Sequence, residues 1–196
     1  MFNGIIKHTG KIHNIYQKNR NFSIQISSKL KFTTKEIGSS ICCSGTCLTL
    51  EKISGNLCSF YLSKETLNRS NFKFEKKGNI INIEKSIKFG DRISGHFVQG
   101  HVDTTSKVNK IYIVGKSWFI NFGLSKKFQK LTVEKGSIAI NGVSLTISKI
   151  LKNGFEVVVI PKTLKFTNLI NLKEKDSVNI EFDVLGKYIN SSLRNL

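Results

Sequence analysis

Apolar and polar residues alternate with a period of two along much of the chain, which is the pattern of β-strands with one buried face. On the segment 46–50, Cys47 and Thr49 share one face, and Leu48 and Leu50 share the other. The alternating segments are residues 22–26, 46–50, 57–62, 110–114, 118–122 and 143–147. Glycines separate them, and short strands at this spacing predict small antiparallel barrels.

The sequence contains an internal duplication. With an offset of 97 residues, SGTCLTLEKI, ending at Ile53, lies over NGVSLTISKI, ending at Ile150. At the same offset a Thr-Leu pair and an Asn-Ile-Glu triplet also recur, and GIIKHTGKI has a weaker echo in GHVDTTSKV. Two copies of a long unit indicate a tandem pair of domains rather than a solenoid.

Short helices are predicted at residues 64–72, 125–131 and 162–169. Pro161 is the only proline, and it stands just before the second Thr-Leu pair, a position typical of a first helical turn. The tail, residues 187–196, predicts a last amphipathic helix with Tyr188, Ile189 and Leu193 on one side.

The charge is strongly basic, with 31 Lys and Arg against 13 Asp and Glu and a formal net charge of +18. Only four of the basic residues are Arg, whereas nucleic-acid sites rely on Arg for bidentate contacts. The lysines form no dense cluster, which favours a solvated surface shaped by AT-rich codon usage. Attraction of an acidic partner stays open, and a salt-dependent duplex-binding assay would reveal it.

The chain has no run of about 18 apolar residues that would span a membrane. Its start, MFNGIIKHTG, lacks the layout of a signal peptide. Its four cysteines crowd between positions 42 and 58 without a zinc-site spacing. These features predict a cytoplasmic protein with reduced thiols and no membrane partner.

A polar pair stands on the best-matched strand of each copy. Cys47 and Thr49 share one strand face, and Ser144 and Thr146 share the equivalent face. Small β-formers on a solvated face would explain either pair alone. The recurrence of the pair in both copies, while flanking residues differ, favours a binding surface.

Two of the four histidines lie in the segment SGHFVQGHVD, residues 94–103, each after a glycine. Imidazole transfers protons near neutral pH, and glycine permits close approach of a ligand. On one strand His96 and His101 would face opposite sides, so no shared metal ion is predicted. A structural role stays open for His96 and is predicted for His8 and His13.

Two further features carry candidate chemistry. Asp183 ends the Asn-Ile-Glu-Phe-Asp segment, where the first copy has Ser86, so the copies differ there in charge. A surface carboxylate at a strand end is the alternative explanation. The segments that begin at Thr66 and Thr163 would offer backbone N–H groups to a polar ring.

The motifs MFNGII, GTCLTL, SGHFVQGHVD, NGVSLTI, IPKTL and VNIEFD resemble the α-type, trimeric riboflavin synthase family over essentially the whole chain. The resemblance implies a mainly β fold of two tandem six-stranded Greek-key antiparallel barrels. The implied domains are residues 1–96 and 97–186, each a lumazine-binding barrel. A trimerisation helix would follow at residues 187–196.

The resemblance also implies an activity. Two molecules of 6,7-dimethyl-8-ribityllumazine would react by four-carbon transfer, giving riboflavin and 5-amino-6-ribitylaminouracil without a metal or organic cofactor. Each barrel would bind one lumazine, and the site would form between barrels of neighbouring subunits of a homotrimer. Lumazine synthase is a candidate partner, and no nucleic acid is expected.

The family's site residues carry over residue by residue. The predicted proton-transfer residues are His101 and Ser144. Cys47 would lie near the electrophilic carbon, and Asp183 would orient a hydroxyl or a water. The implied ligand contacts are Gly4, Ile5, Ile6, Cys47, Leu48, Thr49, Tyr61, Leu62, Ser63, Lys64, Glu65, Thr66, Gly100, His101, Val102, Lys135, Ser144, Leu145, Thr146, Val158, Val159, Ile160, Pro161, Lys162 and Thr163.

The chain departs from the family pattern at Asn3, where Thr is usual, at Lys162, where Glu is usual, and in a short tail after Asp183. The reversed charge at Lys162 predicts weaker binding at the second site. A non-catalytic fluorophore carrier of the same fold is the first alternative. A basic nucleic-acid-binding barrel is the second, and it lacks an interleaved aromatic–Arg surface.

Overall fold

The strands and helices follow the duplication. The computed structural model describes residues 1–18 and 21–193. The strands are β1 His8–Lys18, β2 Asn21–Ser28, β3 Ser40–Cys43, β4 Thr46–Ser54, β5 Leu57–Leu62, β6 Ile80–Lys85, β7 Thr104–Val114, β8 Ser117–Gly123, β9 Ser137–Ile140, β10 Val143–Leu151, β11 Gly154–Val159 and β12 Ser177–Phe182. The α-helices are α1 Lys64–Arg69, α2 Lys126–Gln129, α3 Pro161–Phe166 and α4 Val184–Ser192.

Each copy closes into a six-stranded antiparallel barrel. The strand order is β1-β2-β5-β4-β3-β6 in the first barrel, the N-barrel, and β7-β8-β11-β10-β9-β12 in the second, the C-barrel. Closure gives every strand a paired neighbour on each side, so no strand is left as an open edge along its whole length. The predicted pair of Greek-key barrels is confirmed.

The repeat extends to irregularities of the ladders. A bulge between Ile12 and Asn14 in β1 recurs in β7, 96 residues later, and a bulge between Leu50 and Lys52 in β4 recurs in β10, 97 residues later. The one-residue change of offset shows that the second copy has one extra residue between its second and third strands. Bulges bend strands sharply, so barrels of one shape need them at the same places.

The inward face of each barrel is a separate apolar core. In the N-barrel, Leu48 and Leu50 of β4 pack with Ile24, Ile26 and Phe60, all buried. The equivalent core of the C-barrel includes Ile120, Phe122, Phe155, Ile180 and Phe182. Full burial of each such side chain contributes about 1.5–3 kcal/mol, so the period-two pattern supplies most of the driving force.

A third, small core seals the two barrels together. Phe2 and Val98 are fully buried and exchange both backbone hydrogen bonds, at 2.7 and 3.1 Å between nitrogen and oxygen. Beside them the β3–β4 and β9–β10 turns meet at Gly45 and Gly142. A Cβ atom on Gly45 would lie 2.7 Å from the nitrogen of Gly142, and both φ angles are positive. Only glycine fits such a contact.

Buried amides complete the contact between the barrels. The side chain of Asn82 donates to the carbonyl of Asn141 at 2.9 Å and accepts from the backbone N–H of Asn168 at 2.7 Å. Asn179, its repeat partner, donates to the carbonyl of Ser44 and accepts from the N–H of Asn71. Because these groups are buried, each lost partner would leave an unsatisfied polar group.

Several local predictions need correction. The predicted helices at 64–72 and 162–169 are each an α-helical turn followed by a 3-10 turn, at Asn71–Phe74 and Asn168–Asn171. The last helix begins at Val184, because Asp183 accepts the N–H of Leu185 as its cap. The predicted end of that helix, residues 194–196, lies outside the described residues. Residues 94–103 form an irregular segment rather than a strand.

We expect Asn82→Ala to lower the free energy of unfolding by roughly 3 kcal/mol, because it leaves the buried N–H of Asn168 and the carbonyl of Asn141 without their hydrogen-bond partner. Urea denaturation followed by tryptophan fluorescence measures the change. Asn68→Ala, an exposed substitution on α1, is the control and should shift stability by less than about 0.5 kcal/mol. Equal effects of the two variants would contradict the assignment.

Candidate active site

The strand that carries the polar pair, β4 in the N-barrel and β10 in the C-barrel, is contacted at its start by a segment from the other copy. Residues 3–5 form the first crossing strip and residues 99–101 the second. The N–H of Ser144 in the C-barrel donates to the carbonyl of Gly4 at 2.8 Å. The N–H of Cys47 in the N-barrel donates to the carbonyl of Gly100 at 2.7 Å. The paired polar strands are therefore strand edges occupied by crossing strips.

Both contacts require glycine in the strip. Gly4 has a φ of +71°, and a Cβ atom on it would lie 2.7 Å from Cβ of Ser144. Gly100 has a φ of +79°, and a Cβ atom on it would lie 2.7 Å from Cβ of Cys47. A side chain would be excluded at both positions by sterics and by backbone conformation.

A carboxylate holds each strip: that of Glu84 is half-buried and that of Glu181 is buried. Glu84 of β6 accepts the N–H groups of Asn3 and Gly4 at 2.9 and 3.1 Å. Glu181 of β12 accepts the N–H groups of Gln99, Gly100 and His101 at 2.6, 2.9 and 3.1 Å. Burial raises the pKa of both carboxyls, that of Glu181 to about 7, against the opposing effect of the N–H bonds.

The strand ladders bring the remaining predicted contacts beside the strips. Leu50 pairs with Phe60 and Ile147 pairs with Val157. The ends of β5 and β11, with the helices α1 and α3 that follow, therefore flank the starts of β4 and β10. We call the surface around Cys47 and the second strip the N-barrel half-site. The surface around Ser144 and the first strip is the C-barrel half-site.

The predicted contacts differ in what they can offer a ligand. Some have side chains buried in the barrel cores and can contribute only backbone groups: Ile6, Leu48, Leu62 and Val159. Others are half-buried, namely Cys47, Ser63, Thr66, Val102, Ser144, Leu145, Val158, Thr163 and Asp183. The exposed ones are Ile5, Thr49, Tyr61, Lys64, Glu65, His101, Lys135, Thr146, Ile160, Pro161 and Lys162.

Ser144 is paired with a histidine that the sequence left open between a structural and a chemical role. Nδ1 of His96 lies 2.7 Å from Oγ of Ser144, and Nε2 of His96 is buried without a hydrogen-bond partner. Burial lowers the pKa of His96, and the nearby carboxylate of Asp183 acts in the opposite direction. A neutral imidazole against a hydroxyl is an arrangement that can accept a proton.

His101 has a different environment. Its backbone N–H is held by Glu181, and its side chain is exposed beside the N-barrel half-site. Ser144 and His101 thus belong to opposite half-sites within one chain. Asp183, which caps α4, lies close enough to His96 to influence its pKa.

Lys135 stands in an unfavourable backbone conformation. Its φ is +68°, and its repeat partner Gly38 has a φ of +89°. Each donates its N–H to the neighbouring strand, to Ile147 and Leu50 respectively. A non-glycine residue in this region costs about 1 kcal/mol, and such costs concentrate at functional sites.

The helix starts that flank the half-sites also differ. In the N-barrel, the hydroxyl of Ser63 accepts the N–H of Thr66 at 3.0 Å and lies 2.9 Å from its hydroxyl. In the C-barrel, Ile160 occupies the capping position and offers no side-chain cap to α3. The N–H and hydroxyl of Thr66 are thus hydrogen-bonded to Ser63. Ile160, the repeat partner of Ser63, has no hydroxyl to bind the same groups of Thr163.

Sequence reasoning missed Glu84 and Glu181 as site residues. Both lie in the recurring Asn-Ile-Glu triplet, so the duplication held a signal for them. Their partners are backbone N–H groups about 80 residues away, which no residue pattern reveals. Among the described residues, no cluster of three or more His, Cys, Asp or Glu could hold a metal ion. No helix in that part of the chain could cross a bilayer.

Comparison with known proteins identifies the family of the two barrels. The sequence model of the Lumazine binding domain family matches twice, over residues 3–86 and 99–183. Crystal structures of LumP complexed with riboflavin and with 6,7-dimethyl-8-(1'-D-ribityl) lumazine superpose with TM-scores of 0.83 and 0.80. They are 24% and 22% identical, cover 93% of this chain and 99% of their own, and confirm the fold.

Curated relatives narrow the class. Riboflavin synthase of Photobacterium phosphoreum is 36% identical over 96% of this chain and 87% of its own. The Escherichia coli K12 enzyme is 37% identical over 93% and 87%, and that of Buchnera aphidicola 34% over 100% and 95%. The chain belongs to the riboflavin synthase family, a family of enzymes.

The buried carboxylate of Glu181 predicts a pH dependence of stability. Its folded-state pKa of about 7 lies above the ordinary value of 4.5, so the folded chain binds this proton more tightly. The stabilisation is complete below pH 4.5 and is lost as the pH rises through 7, by on the order of 3 kcal/mol.

Chemical denaturation of the parent chain and of Glu181→Gln between pH 5 and pH 8 measures this effect. The parent should lose more stability than the variant over that range, because other buried acids contribute equally to both. Parallel curves for the two proteins would contradict the assignment.

Proposed function

We propose that the chain catalyses the dismutation of two 6,7-dimethyl-8-ribityllumazine molecules. One lumazine gives a four-carbon unit to the other, and the products are riboflavin and 5-amino-6-ribitylaminouracil. The two substrates together contain every atom of the two products, so the reaction needs no external oxidant or reductant. Membership of the riboflavin synthase family supports the reaction.

The structural observation that carries the proposal is the pair of equivalent half-sites. Two identical ligands need two similar surfaces, and the duplication supplies them around Cys47 and Ser144. Each surface combines strand-edge backbone groups with small hydroxyl or thiol side chains, which suit a flat polar ring and a ribityl chain. Holding both rings in reacting geometry converts a bimolecular reaction into an effectively unimolecular one.

The half-sites are chemically unequal, as the reaction requires. One lumazine must lose a proton from its 7-methyl group, and the ring delocalises the resulting charge. We assign this proton to the C-barrel half-site, where His96 backs Ser144. His101 serves proton transfer at the other half-site, where Cys47 lies near the carbon under attack. Asp183 orients a hydroxyl or water near His96.

The two half-sites of one active centre would come from neighbouring chains. Within one chain, Ser144 borders the first strip and Cys47 borders the second, so the two residues belong to different half-sites. The helix α4 and the residue that ends it expose Tyr188, Ile189 and Leu193 at 63–70% of their surface, an apolar face suited to a homotrimer contact. A partner such as lumazine synthase would receive one product and supply the substrate.

The test is turnover by the untagged chain given 6,7-dimethyl-8-ribityllumazine alone. We expect riboflavin's long-wavelength absorption to appear at one mole per two moles of lumazine consumed. Ser144→Ala should slow turnover at least ten-fold. Ser148→Ala is the matched control, since Ser148 lies on β10 like Ser144, but its hydroxyl binds Glu156 of β11 outside the half-site.

The alternative function is a fluorophore carrier, which the likeness of fold to LumP brings into view. Lumazine would then bind with a change of fluorescence and would not be consumed. That outcome would replace the enzymatic proposal. Loss of binding altogether would contradict both functions.

Lys135→Gly separates binding from stability. Glycine relieves the left-handed conformation at this position, so the variant should be as stable as the parent or up to about 1 kcal/mol more stable. Loss of the ammonium group should weaken lumazine binding several-fold. Thermal unfolding and fluorescence titration measure the two effects, and Lys116→Gly in an exposed turn is the control. A destabilised variant with unchanged affinity would contradict the role of Lys135.

A further inference from the structure

Glu84 and Glu181 are arranged crosswise with respect to the half-sites. Glu84 belongs to the N-barrel, but the strip that it holds presents Gly4 to Ser144 of the C-barrel. Glu181 belongs to the C-barrel, but its strip presents Gly100 to Cys47 of the N-barrel. Each half-site is therefore bounded by a strip that is fixed by the opposite barrel.

A carboxylate is the group that such a strip requires. When ionised, its two oxygens only accept hydrogen bonds, and successive backbone N–H groups of a strip only donate them. In Glu181, Oε1 accepts from Gln99 while Oε2 accepts from both Gly100 and His101. An amide in the same place would direct an NH₂ group at one of these donors, so glutamine cannot restore the contact.

The second strip has an additional attachment. Asp103 follows the strip, accepts the N–H of Phe182 at 2.9 Å and pairs with Lys187 of α4 at 2.7 Å. The carboxylate of Glu181 thus lies between its own barrel and a segment tied to the last helix. Loss of the Glu181 contact would free the middle of the strip, residues 99–101, while its far end stays anchored.

We propose that Glu84 and Glu181 are positioning residues, each of which fixes the strip that borders the half-site of the opposite barrel. Neither touches the reacting atoms: each acts through Gly4 or Gly100. The ligand part of this inference rests on the proposed function, whereas the crosswise control of the strips does not. The two parts can therefore be tested separately.

Cys47 is a built-in reporter of the N-barrel half-site. It is half-buried, whereas Cys42, Cys43 and Cys58 are at least 95% buried and have pKa values raised by burial. A thiol reagent such as iodoacetamide should react first with Cys47. Because Gly100 lies against Cys47, release of the second strip should raise the rate of alkylation.

The experiment compares Glu181→Gln and Glu84→Gln by mass spectrometry of alkylated Cys47. We expect at least a five-fold faster reaction in Glu181→Gln and a parental rate in Glu84→Gln. The C47S/S144C chain reverses the reporter, and there Glu84→Gln should accelerate the reaction while Glu181→Gln should not. Glu156→Gln is the matched control, since this buried carboxylate binds hydroxyl groups of Tyr112 and Ser148 instead of a strip.

Ligand protection extends the test to the half-sites. Lumazine should protect Cys47 in Glu84→Gln as it does in the parent, and Glu181→Gln should need at least ten-fold more lumazine for equal protection. Glu181→Asp, which keeps the charge on a shorter side chain, replaces Glu181→Gln if that variant does not fold. A parent chain that lumazine never protects would contradict the proposed function and leave the alkylation rates as the test of the strips.

The outcome that overturns the proposal is the same response of both reporters to both variants. Equal acceleration would show that the carboxylates stabilise the fold generally. No acceleration in either chain would show that the strips stay in place without them. Circular dichroism of each variant, recorded beside the alkylation, identifies any that have lost the barrels.

Discussion

Two backbone hydrogen bonds, from Ser144 to Gly4 and from Cys47 to Gly100, determine how the halves of this protein form a pair of related surfaces. Each bond ties a strand edge of one barrel to a segment held by a carboxylate of the other. Phe2 and Val98 are buried together beside these bonds, and Gly4 and Gly100 must be glycine because the strips lie so close to the strands. If either strip moved, its half-site would lose one wall.

The two copies keep what barrel closure demands and differ at residues of the proposed half-sites. Bulges, tight turns and the Asn-Ile-Glu triplet recur, because a closed six-stranded ladder tolerates few changes of register. Cys47 against Ser144 and Gly38 against Lys135 are differences at the proposed half-sites. The proposed reaction between two identical molecules would need this inequality, since one partner must lose a proton while the other is attacked.

Much of the architecture was predictable. Two of the failures share one cause, a carboxylate that accepts backbone N–H groups, which the alternation of residues does not reveal. The strands around Cys47 and Ser144 followed from local alternation, and the pair of barrels followed from the duplication. The start of the last helix was misplaced because Asp183 caps it by accepting the N–H of Leu185, and the apolar spacing of the tail does not reveal this hydrogen bond. The segment 94–103 was expected as a strand, although its N–H groups bind Glu181 instead of a neighbouring strand.

By itself, the sequence determined the strands with clear alternation, such as β4 and β10, the twofold repeat and the residue types available for chemistry, because each of these is visible in the order of the residues. Only the tertiary structure decided which histidine meets Ser144, which carboxylates hold the strips, and which predicted contacts are buried in the cores. Those pairings join residues 48 to 82 positions apart, where the path of the backbone, and not local propensity, selects the partner.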